Sequence, residues 1–296
     1  MKLRRLGEEG LLSRLLPSLQ TRKEVIMGAG DDCAVVLSSR SGTVGLLKTD
    51  CVVEKVHFES LAEPAAVGWK AMMRPLSDFA AMSGLPEFAL VTLIVSARRS
   101  ASWIKKLYRG LQRAAARFDV SVVGGETSST RGPAVISVSV VGFAEKERWI
   151  SRRGGKAGDD LFVTGRLGGS RAGKHLRFVP RIEESRWLTK NFPIHAMIDL
   201  SDGLGADLPR LARASKVGFK VDVERLPLNP GCQIAHAISD GEDYELLFAV
   251  SHRHRKRLSR SWRTKFPKLL LTRIGQLVPQ SAIRNLQLPR GYVHFT

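Results

Sequence analysis

Cysteine, long apolar runs and acidic residues are all scarce in this sequence. The three cysteines, Cys33, Cys51 and Cys232, lie far apart with no CxxC pair, which argues against a zinc site and a disulfide framework. The longest apolar run, residues 88–95, suits a buried strand and is too short to span a bilayer. Charged residues also interrupt the leucine-rich N-terminus, so we expect an amphipathic helix there rather than a signal peptide, and a cytoplasmic protein.

Acidic residues are few but concentrated. Lys and Arg number 47 against 28 Asp and Glu, which gives a net charge of +19. Six aspartates nevertheless occur in four short motifs: Gly30-Asp31-Asp32, Lys48-Thr49-Asp50, Leu76-Ser77-Asp78 and Asp199-Leu200-Ser201-Asp202-Gly203. Most follow an apolar stretch, at the expected end of a strand or helix, beside small residues. Converging oxygen ligands of this kind are typical of divalent cations that hold phosphates.

Basic residues are most concentrated in the C-terminal half, where eight Lys and Arg residues occur in a run that contains no acidic residue. The run begins at Arg253 and ends at Lys268. One interpretation is a solvated helix face, and the other is a surface that binds nucleic acid or another polyanion. Charge alone supports the second only weakly, so both stay open.

The order of apolar patterns predicts an α/β (α+β) chain of two domains. Residues 33–37 and 45–49 read as a hairpin pair, 64–73 and 100–118 as helices, and 88–95, 120–123 and 135–142 as strands. Ser100 or Ser102 is the expected cap of the second helix, and the alternation of residues 135–142 indicates a half-exposed strand. Charge and glycine then rise over residues 145–158, where we place the boundary, giving domains 1–147 and 148–296. In the second, 160–164, 197–200, 219–223, 244–250 and 269–274 read as strands, and 204–215 as a helix.

One segment resembles a phosphate-binding loop. Gly168, Gly173 and Lys174 match most of the pattern, but His175 stands where a Ser or Thr would bind magnesium. We therefore expect a glycine-rich turn after a strand.

Each acidic motif has a structural and a functional interpretation. Asp31 and Asp32 are adjacent, so their side chains diverge: either one meets a metal while the other bonds the backbone, or the pair belongs to an ordinary turn before a strand. Asp50 and Asp78 are weak signals alone. Asp199 and Asp202 flank a strand-to-helix junction at which Ser201 is a candidate cap, so a metal-phosphate site and helix capping are both open.

Three further patterns are candidates for ligand contacts. The glycines before Glu126 would allow close backbone approach to a phosphate. Glu242 and Asp243 precede a buried strand and are better substrate candidates than Tyr244, which suits a core. His57 follows the Asp50 strand, where a lone histidine is more often structural. No Ser/His/Asp set has the spacing of a nucleophilic triad.

Taken in order, these motifs resemble the thiamine-monophosphate kinase family of the aminoimidazole ribonucleotide synthetase superfamily. The resemblance extends over nearly the whole chain. The segments that carry it are GDDCAVV at 30–36, KTDCVVEKVHF at 48–58, LSDFAAM at 76–82, VGGET at 123–127, SRRGGKAGD at 151–159, IDLSDG at 198–203 and GEDYELLF at 241–248.

The resemblance implies ATP-dependent phosphorylation of thiamine monophosphate to thiamine diphosphate with several magnesium ions. It implies a two-domain aminoimidazole ribonucleotide synthetase-like fold and a homodimer whose N-terminal sheets pair into a barrel. By motif position, the implied metal ligands are Asp32, Thr49, Asp50, Asp78, Glu126, Asp199 and Asp202. The implied ATP contacts are Gly125, Glu126, Arg152 and Ser201, and the implied substrate contacts are His57, Glu242 and Tyr292.

The sequence departs from the family pattern at several positions. Lys48 stands where Ser or Thr is usual, and its charge would repel a metal ion or replace one. Glu126 replaces Asp, Asp240 and Gly169 are also unusual, and Pro75 and Pro209 fall inside expected helices, at about 3 kcal/mol each in an unbroken helix. The stretch 173–194 is short. These departures leave two alternatives: a superfamily relative that phosphorylates another small acceptor, and a non-catalytic member that binds a polyanion.

Overall fold

The computed structural model describes residues 3–282 and 291. Within them, the first half forms a six-stranded sheet in the order β1-β2-β3-β6-β4-β5, antiparallel except for the β4–β5 pair. Its strands are β1 Val25–Met27, β2 Ala34–Leu37, β3 Thr43–Val53, β4 Leu85–Val95, β5 Ser121–Ser129 and β6 Val135–Glu145. Its helices are α1 Leu3–Leu15, α2 Pro64–Ala81 and α3 Ala101–Arg117.

The second half forms a five-stranded antiparallel sheet, ordered β8-β10-β7-β11-β9. Its strands are β7 Asp159–Thr164, β8 Ile194–Asp199, β9 Gly218–Val221, β10 Leu246–Ser251 and β11 Leu271–Val278. Its helices are α4 Ile182–Asn191, α5 Leu204–Ala214, α6 Ile234–Ser239 and α7 Arg255–Lys265. The two-domain α/β architecture is confirmed, whereas the boundary near residue 147 stays a prediction.

Several local predictions are confirmed by the hydrogen bonding. β2 and β3 pair antiparallel, with Ala34 opposite Leu47, as the hairpin pattern indicates. Ser100 caps α3, because its side chain accepts a hydrogen bond from the Trp103 backbone N–H. The glycine-rich segment after β7 forms two short 3-10 turns, Ser170–Ala172 and Lys174–Leu176, so it is a turn rather than a phosphate-binding loop.

α2 is longer than the pattern of residues 64–73 predicts, since it continues through Pro75 to Ala81. Thirteen of its 18 residues are buried, Pro75 among them. Pro209 likewise lies inside α5. Tertiary packing of a buried helix therefore outweighs the backbone hydrogen bond that each proline removes.

α2 lies between the two sheets. The larger apolar core includes Met72 and Phe79 of α2 together with Met197 of β8 and Trp262 of α7. A second core fills the other side of the second sheet and includes Leu161, Leu208 and Ile274. The polar side chains of α2 consequently emerge where the two halves of the chain meet.

The N-terminal helix departs from an ideal amphipathic helix. Gly7 adopts φ 66°, ψ 174° inside α1, so the helix is kinked there. Leu3, Leu12 and Leu15 remain exposed. Among the described residues, the chain has no helix with the length and apolar character that crossing a membrane requires.

Candidate active site

Three buried aspartates from distant parts of the chain converge at the junction of the two halves. Asp32 lies in the bend before β2, Asp78 on α2 and Asp199 at the end of β8. Carboxylate oxygens of the three lie within 4.8 Å of one another. We call this set the carboxylate cluster.

Burial and mutual repulsion oppose ionisation of the carboxylate cluster. Burial, then the charge of Asp32, raises the pKa of Asp199 to about 6. Burial also raises the pKa of Asp78 well above its ordinary value. Asp32 Oδ2 is buried and has no hydrogen-bond partner among the described residues. Three carboxylates with one unsatisfied buried oxygen are a donor set suited to a hard divalent cation.

The carboxylate cluster opens into a cavity of about 360 Å³ whose wall carries both signs of charge. Acids and bases in this wall are paired with each other or, for Arg152, with Asp32 behind it. The pairs are Asp32 Oδ1–Arg152 Nη2 at 2.5 Å, Asp50 Oδ1–Arg74 Nη2 at 3.1 Å, Asp78 Oδ1–Lys48 Nζ at 2.6 Å and Asp202 Oδ2–Arg210 Nη1 at 2.5 Å. Although burial opposes it, the charges of Arg74 and Lys48 lower the pKa of Asp50.

The two adjacent acids at 31 and 32 have different roles, as the sequence predicts. Asp32 joins the carboxylate cluster. Asp31 accepts hydrogen bonds from the backbone N–H groups of Asp32 and Arg152. Burial, then the neighbouring Asp32, raises the pKa of Asp31 to about 6. Asp31 thus fixes the Arg152 backbone beside the cluster.

The strand-to-helix junction after Asp199 differs from the predicted one. The helix cap of α5 is Gly203, with no side-chain hydrogen bond, so the expected cap by Ser201 is wrong. The backbone carbonyl of Ser201 accepts from the Glu242 N–H at 2.7 Å. A Cβ on Gly203, at φ +95°, would lie 2.8 Å from the Ile238 carbonyl oxygen, and this close approach requires glycine.

A second, smaller cavity continues from the first and shares Arg74, Ser201, Asp202 and Tyr244 with it. We call it the acceptor pocket. Its remaining lining residues are Val56, His57, Arg171, Asp240 and Glu242. Tyr244 is buried and stacks on Phe178 with ring centroids 3.8 Å apart, so it is a core residue as well as a wall of the site.

Glu242 is held by two basic side chains. Lys70 Nζ lies 2.6 Å from Glu242 Oε1, and His175 Nδ1 lies 3.0 Å from Glu242 Oε2. Against the effect of burial, these two partners lower the pKa of Glu242 to about 2. Burial lowers the pKa of Lys70 to about 8, and burial and then Arg74 lower that of His57 to about 4. At neutral pH the acceptor pocket therefore presents an ionised carboxylate and a neutral imidazole.

Some of the predicted site residues do not join the others in the single chain. Thr49 lines the cavity, but its hydroxyl lies 3.0 Å from the Ser139 hydroxyl, on the face of β3 opposite to Asp50. Gly125 and Glu126 lie on edge strand β5, outside the cavity wall and three strands from β3, about 14 Å at ordinary strand spacing. Tyr292 lies outside the described residues. Roles for these four residues stay predictions.

Lys70 and Arg74 were missed by the motif analysis, although α2 carried a signal for them. Positions 70, 74, 77 and 78 are polar within an otherwise apolar helix and share one face at the helical period. All four contact the site: Lys70 and Arg74 bind Glu242 and Asp50, Ser77 donates to Asp199 at 2.6 Å, and Asp78 joins the cluster. The stripe of polar positions on an otherwise apolar helix was the feature of the sequence that indicated these two site residues.

The backbone N–H groups of the glycine-rich turn are occupied by carboxylates. Gly168 N–H donates to Asp243, and Gly169 N–H donates to Asp240. Lys174 Nζ donates to the Arg166 carbonyl at 2.7 Å. These groups stabilise the turn, which explains why a near-match to the phosphate-loop pattern occurs without that function.

Two family models match the chain. The AIR synthase related protein N-terminal domain matches residues 30–144, and the AIR synthase related protein C-terminal domain matches residues 133–253. Together they include the aspartates of the carboxylate cluster and the acceptor-pocket residue Glu242.

Individual relatives match over nearly the full length. The thiamine-monophosphate kinase of Rhodopirellula baltica is 34% identical over 97% of each chain. The crystal structure of thiamine monophosphate kinase from Aquifex aeolicus superposes with a TM-score of 0.79 at 34% identity, over 95% of this chain and 96% of that one. A structure of AaThiL complexed with AMPPCP and TMP gives a TM-score of 0.84 at 33% identity, over 99% of both chains. The chain therefore belongs to the thiamine-monophosphate kinase family of AIR synthase related proteins.

Proposed function

We propose that this protein transfers the terminal phosphoryl group of ATP to the phosphate of thiamine monophosphate. The bond between the γ-phosphorus and its bridging oxygen breaks, an acceptor phosphate oxygen bonds to that phosphorus, and ADP and thiamine diphosphate leave. The observation that carries this proposal is the carboxylate cluster at the base of a cavity whose wall also holds Arg74, Arg152 and Arg210.

The carboxylate cluster would hold magnesium through Asp32, Asp78 and Asp199, since its donors are hard oxygens and Asp32 Oδ2 needs a partner. Magnesium bound there supplies positive charge against the phosphates of both reactants. Roles of Thr49, Asp50, Glu126 and Asp202 as further metal ligands, and the use of several ions, are part of the same proposal.

The arginines of the wall act on the phosphates directly. Arg74, Arg152 and Arg210 each pair with an aspartate, so their guanidinium groups are oriented before a ligand arrives. Planar guanidinium groups bind phosphate oxygens through two parallel hydrogen bonds. Held in this way, donor and acceptor align for in-line transfer, and no side-chain nucleophile is needed. Arg152 and Ser201 contact ATP in this proposal.

The acceptor pocket binds the organic part of thiamine monophosphate. The thiazolium ring of that substrate is cationic, and Glu242 offers a carboxylate that stays ionised at neutral pH. His57, neutral at that pH, lines the same pocket without adding repulsive charge. Because the pocket adjoins the carboxylate cavity through Asp202 and Arg74, an acceptor seated there directs its phosphate towards the cluster.

A homodimer is part of the proposal, with the first sheets of two copies packed face to face into a barrel. Leu47, Val141 and Phe88 are register partners on β3, β6 and β4, and all three are exposed on the sheet face away from α2. Leu90 and Val123 extend the apolar row. An exposed apolar patch across adjacent strands is typical of an association surface. A cytoplasmic location stays a prediction.

The test is a phosphoryl-transfer assay with ATP, magnesium and thiamine monophosphate, followed by chromatographic detection of thiamine diphosphate. We expect one thiamine diphosphate for each ADP formed. Parallel reactions replace thiamine monophosphate with other small phosphorylated acceptors. Faster transfer to one of those would favour the superfamily alternative, and no transfer to any acceptor would overturn the kinase proposal.

A further inference from the structure

The carboxylate cluster contains a cation supplied by the chain itself. Lys48 and Asp50 are two residues apart on β3 and so extend from the same face towards the cluster. Lys48 Nζ lies 2.6 Å from Asp78 Oδ1, and the side chains are only 23% and 9% exposed. The ammonium group therefore reaches a carboxylate that itself lies within 4.8 Å of Asp32 and Asp199 oxygens.

Of the bases that line the cavity, Lys48 is the one that pairs with Asp78. Arg74 and Arg210 pair with Asp50 and Asp202, which are outside the carboxylate cluster. Arg152 does contact Asp32, but only through Oδ1, and Oδ2 keeps no hydrogen-bond partner among the residues described. Lys48 beside Asp78 and Arg152 beside Asp32 offset two of the three negative charges of the cluster, so one divalent cation already exceeds the negative charge that remains.

We propose that Lys48 takes the place of one divalent ion beside Asp78, and so limits the cluster to a single divalent ion before nucleotide binds. This inference rests on the metal site of the proposed function. The physical reason is that a fixed positive charge within a few ångströms of a second cation repels it in a poorly solvated site. The hydrogen bond from Lys48 Nζ also holds the Asp78 carboxylate in position.

The test is direct measurement of Mn²⁺ binding to the nucleotide-free protein, with free Mn²⁺ followed by electron paramagnetic resonance. We expect one tight Mn²⁺ per wild-type chain. Lys48→Met removes the charge at similar length and should both add a second Mn²⁺ per chain and lower the Kd for Mn²⁺ at least tenfold, whereas Lys48→Arg should retain the wild-type stoichiometry and Kd. The matched control is Lys265→Met, since Lys265 also pairs with an acid, Glu183 at 3.0 Å, but lies on α7.

Each outcome decides the proposal. A single Mn²⁺ per chain in Lys48→Met, a Kd equal to that of wild type, or a similar change in Lys265→Met would overturn it. Lys48→Gln, which keeps an N–H donor, replaces Lys48→Met if circular dichroism shows that the latter is unfolded. If both neutral variants are unfolded with and without Mn²⁺, Lys48 is a structural residue and the proposal fails. A shifted Kd without transfer to thiamine monophosphate would overturn the proposed reaction alone.

Discussion

Lys70 and Glu242 form an ion pair 2.6 Å long between positions 172 residues apart. Lys70 belongs to α2 and its side chain is fully buried, while Glu242 precedes β10 in the other half of the chain. The same ammonium donates to the His57 carbonyl oxygen at 2.6 Å. The pair thus joins the two halves of the chain at the acceptor pocket, and it makes Glu242 important for stability as well as for binding.

The first prediction concerns the pH dependence of stability. The folded-state pKa of Glu242, about 2, is below its ordinary value of 4.5, so its stabilising contribution is complete above pH 4.5 and is lost as the pH falls towards 2. Glu242→Gln should therefore lower the free energy of unfolding by about 3 kcal/mol at pH 7. Urea unfolding at pH 7, 5 and 3.5 should show that deficit shrinking below pH 4.5.

The control for this prediction is Glu183→Gln, because Glu183 is 71% exposed and pairs with a surface lysine. Its effect should be small at every pH. A deficit of Glu242→Gln that stays constant between pH 7 and 3.5 would contradict the ion-pair explanation.

The second prediction concerns catalysis. Asp50→Asn and Asp202→Asn each remove a charge from the cavity wall and break the ion pair with Arg74 or with Arg210, which keeps its contact with Asp207. We expect kcat/KM for thiamine monophosphate to fall about 100-fold or more, roughly 3 kcal/mol of transition-state stabilisation. Asp222→Asn is the control, since Asp222 is 48% exposed and pairs with Arg273 away from the cavity. Wild-type rates in both site variants would exclude the metal roles of these aspartates.

The third prediction concerns assembly. Val141→Asp places a charge in the centre of the exposed apolar row of β3, β6 and β4. A buried unpaired carboxylate is incompatible with a packed interface, so we expect a monomer by light scattering, against a wild-type dimer. Leu270→Asp, at a similarly exposed apolar position preceding β11, should remain dimeric. A wild-type monomer would exclude the barrel.

The fourth prediction concerns why residue 125 is glycine. Either the packing of neighbouring strands or the close approach of a phosphate could require it. A Cβ at this position would overlap the Val91 carbonyl oxygen of the neighbouring strand, so strand packing alone requires glycine. We expect Gly125→Ala to lower the free energy of unfolding by more than about 3 kcal/mol, while Gly132→Ala, with only a side-chain contact at 3.4 Å, changes little. A fully stable Gly125→Ala that binds ATP poorly would instead support the phosphate explanation.

The fifth prediction concerns the basic run. Lys256, Arg260 and Arg263 are exposed at helical spacing on α7, which does not line the carboxylate cavity. Replacing all three with Gln should leave phosphoryl transfer unchanged. A nucleic-acid titration at increasing salt tests the polyanion alternative. Salt-sensitive binding that disappears in the triple variant would support that alternative.

The order of many secondary-structure elements could be predicted from the sequence because it depends on short-range patterns, but β1, α4 and α6 were not predicted. The alternation of residues 135–142 predicts the half-exposed strand β6, and Ser100 marks the start of α3. Ser201 failed as a cap for a tertiary reason, since its backbone carbonyl is bonded to Glu242 and the helix begins later, at Leu204. Nothing near Ser201 in the sequence indicates this contact.

Most elements, the four aspartate motifs and the family could be inferred from the sequence, because these features depend on neighbouring residues and their spacing. The folded structure was needed to show that Asp32, Asp78 and Asp199 meet, that Lys48 joins them, and that Glu126 lies outside the cavity wall in a single chain. Apolar burial brings distant segments of the chain together. Charged side chains that become buried where these segments meet then form ion pairs with one another, because an unpaired buried charge is unfavourable.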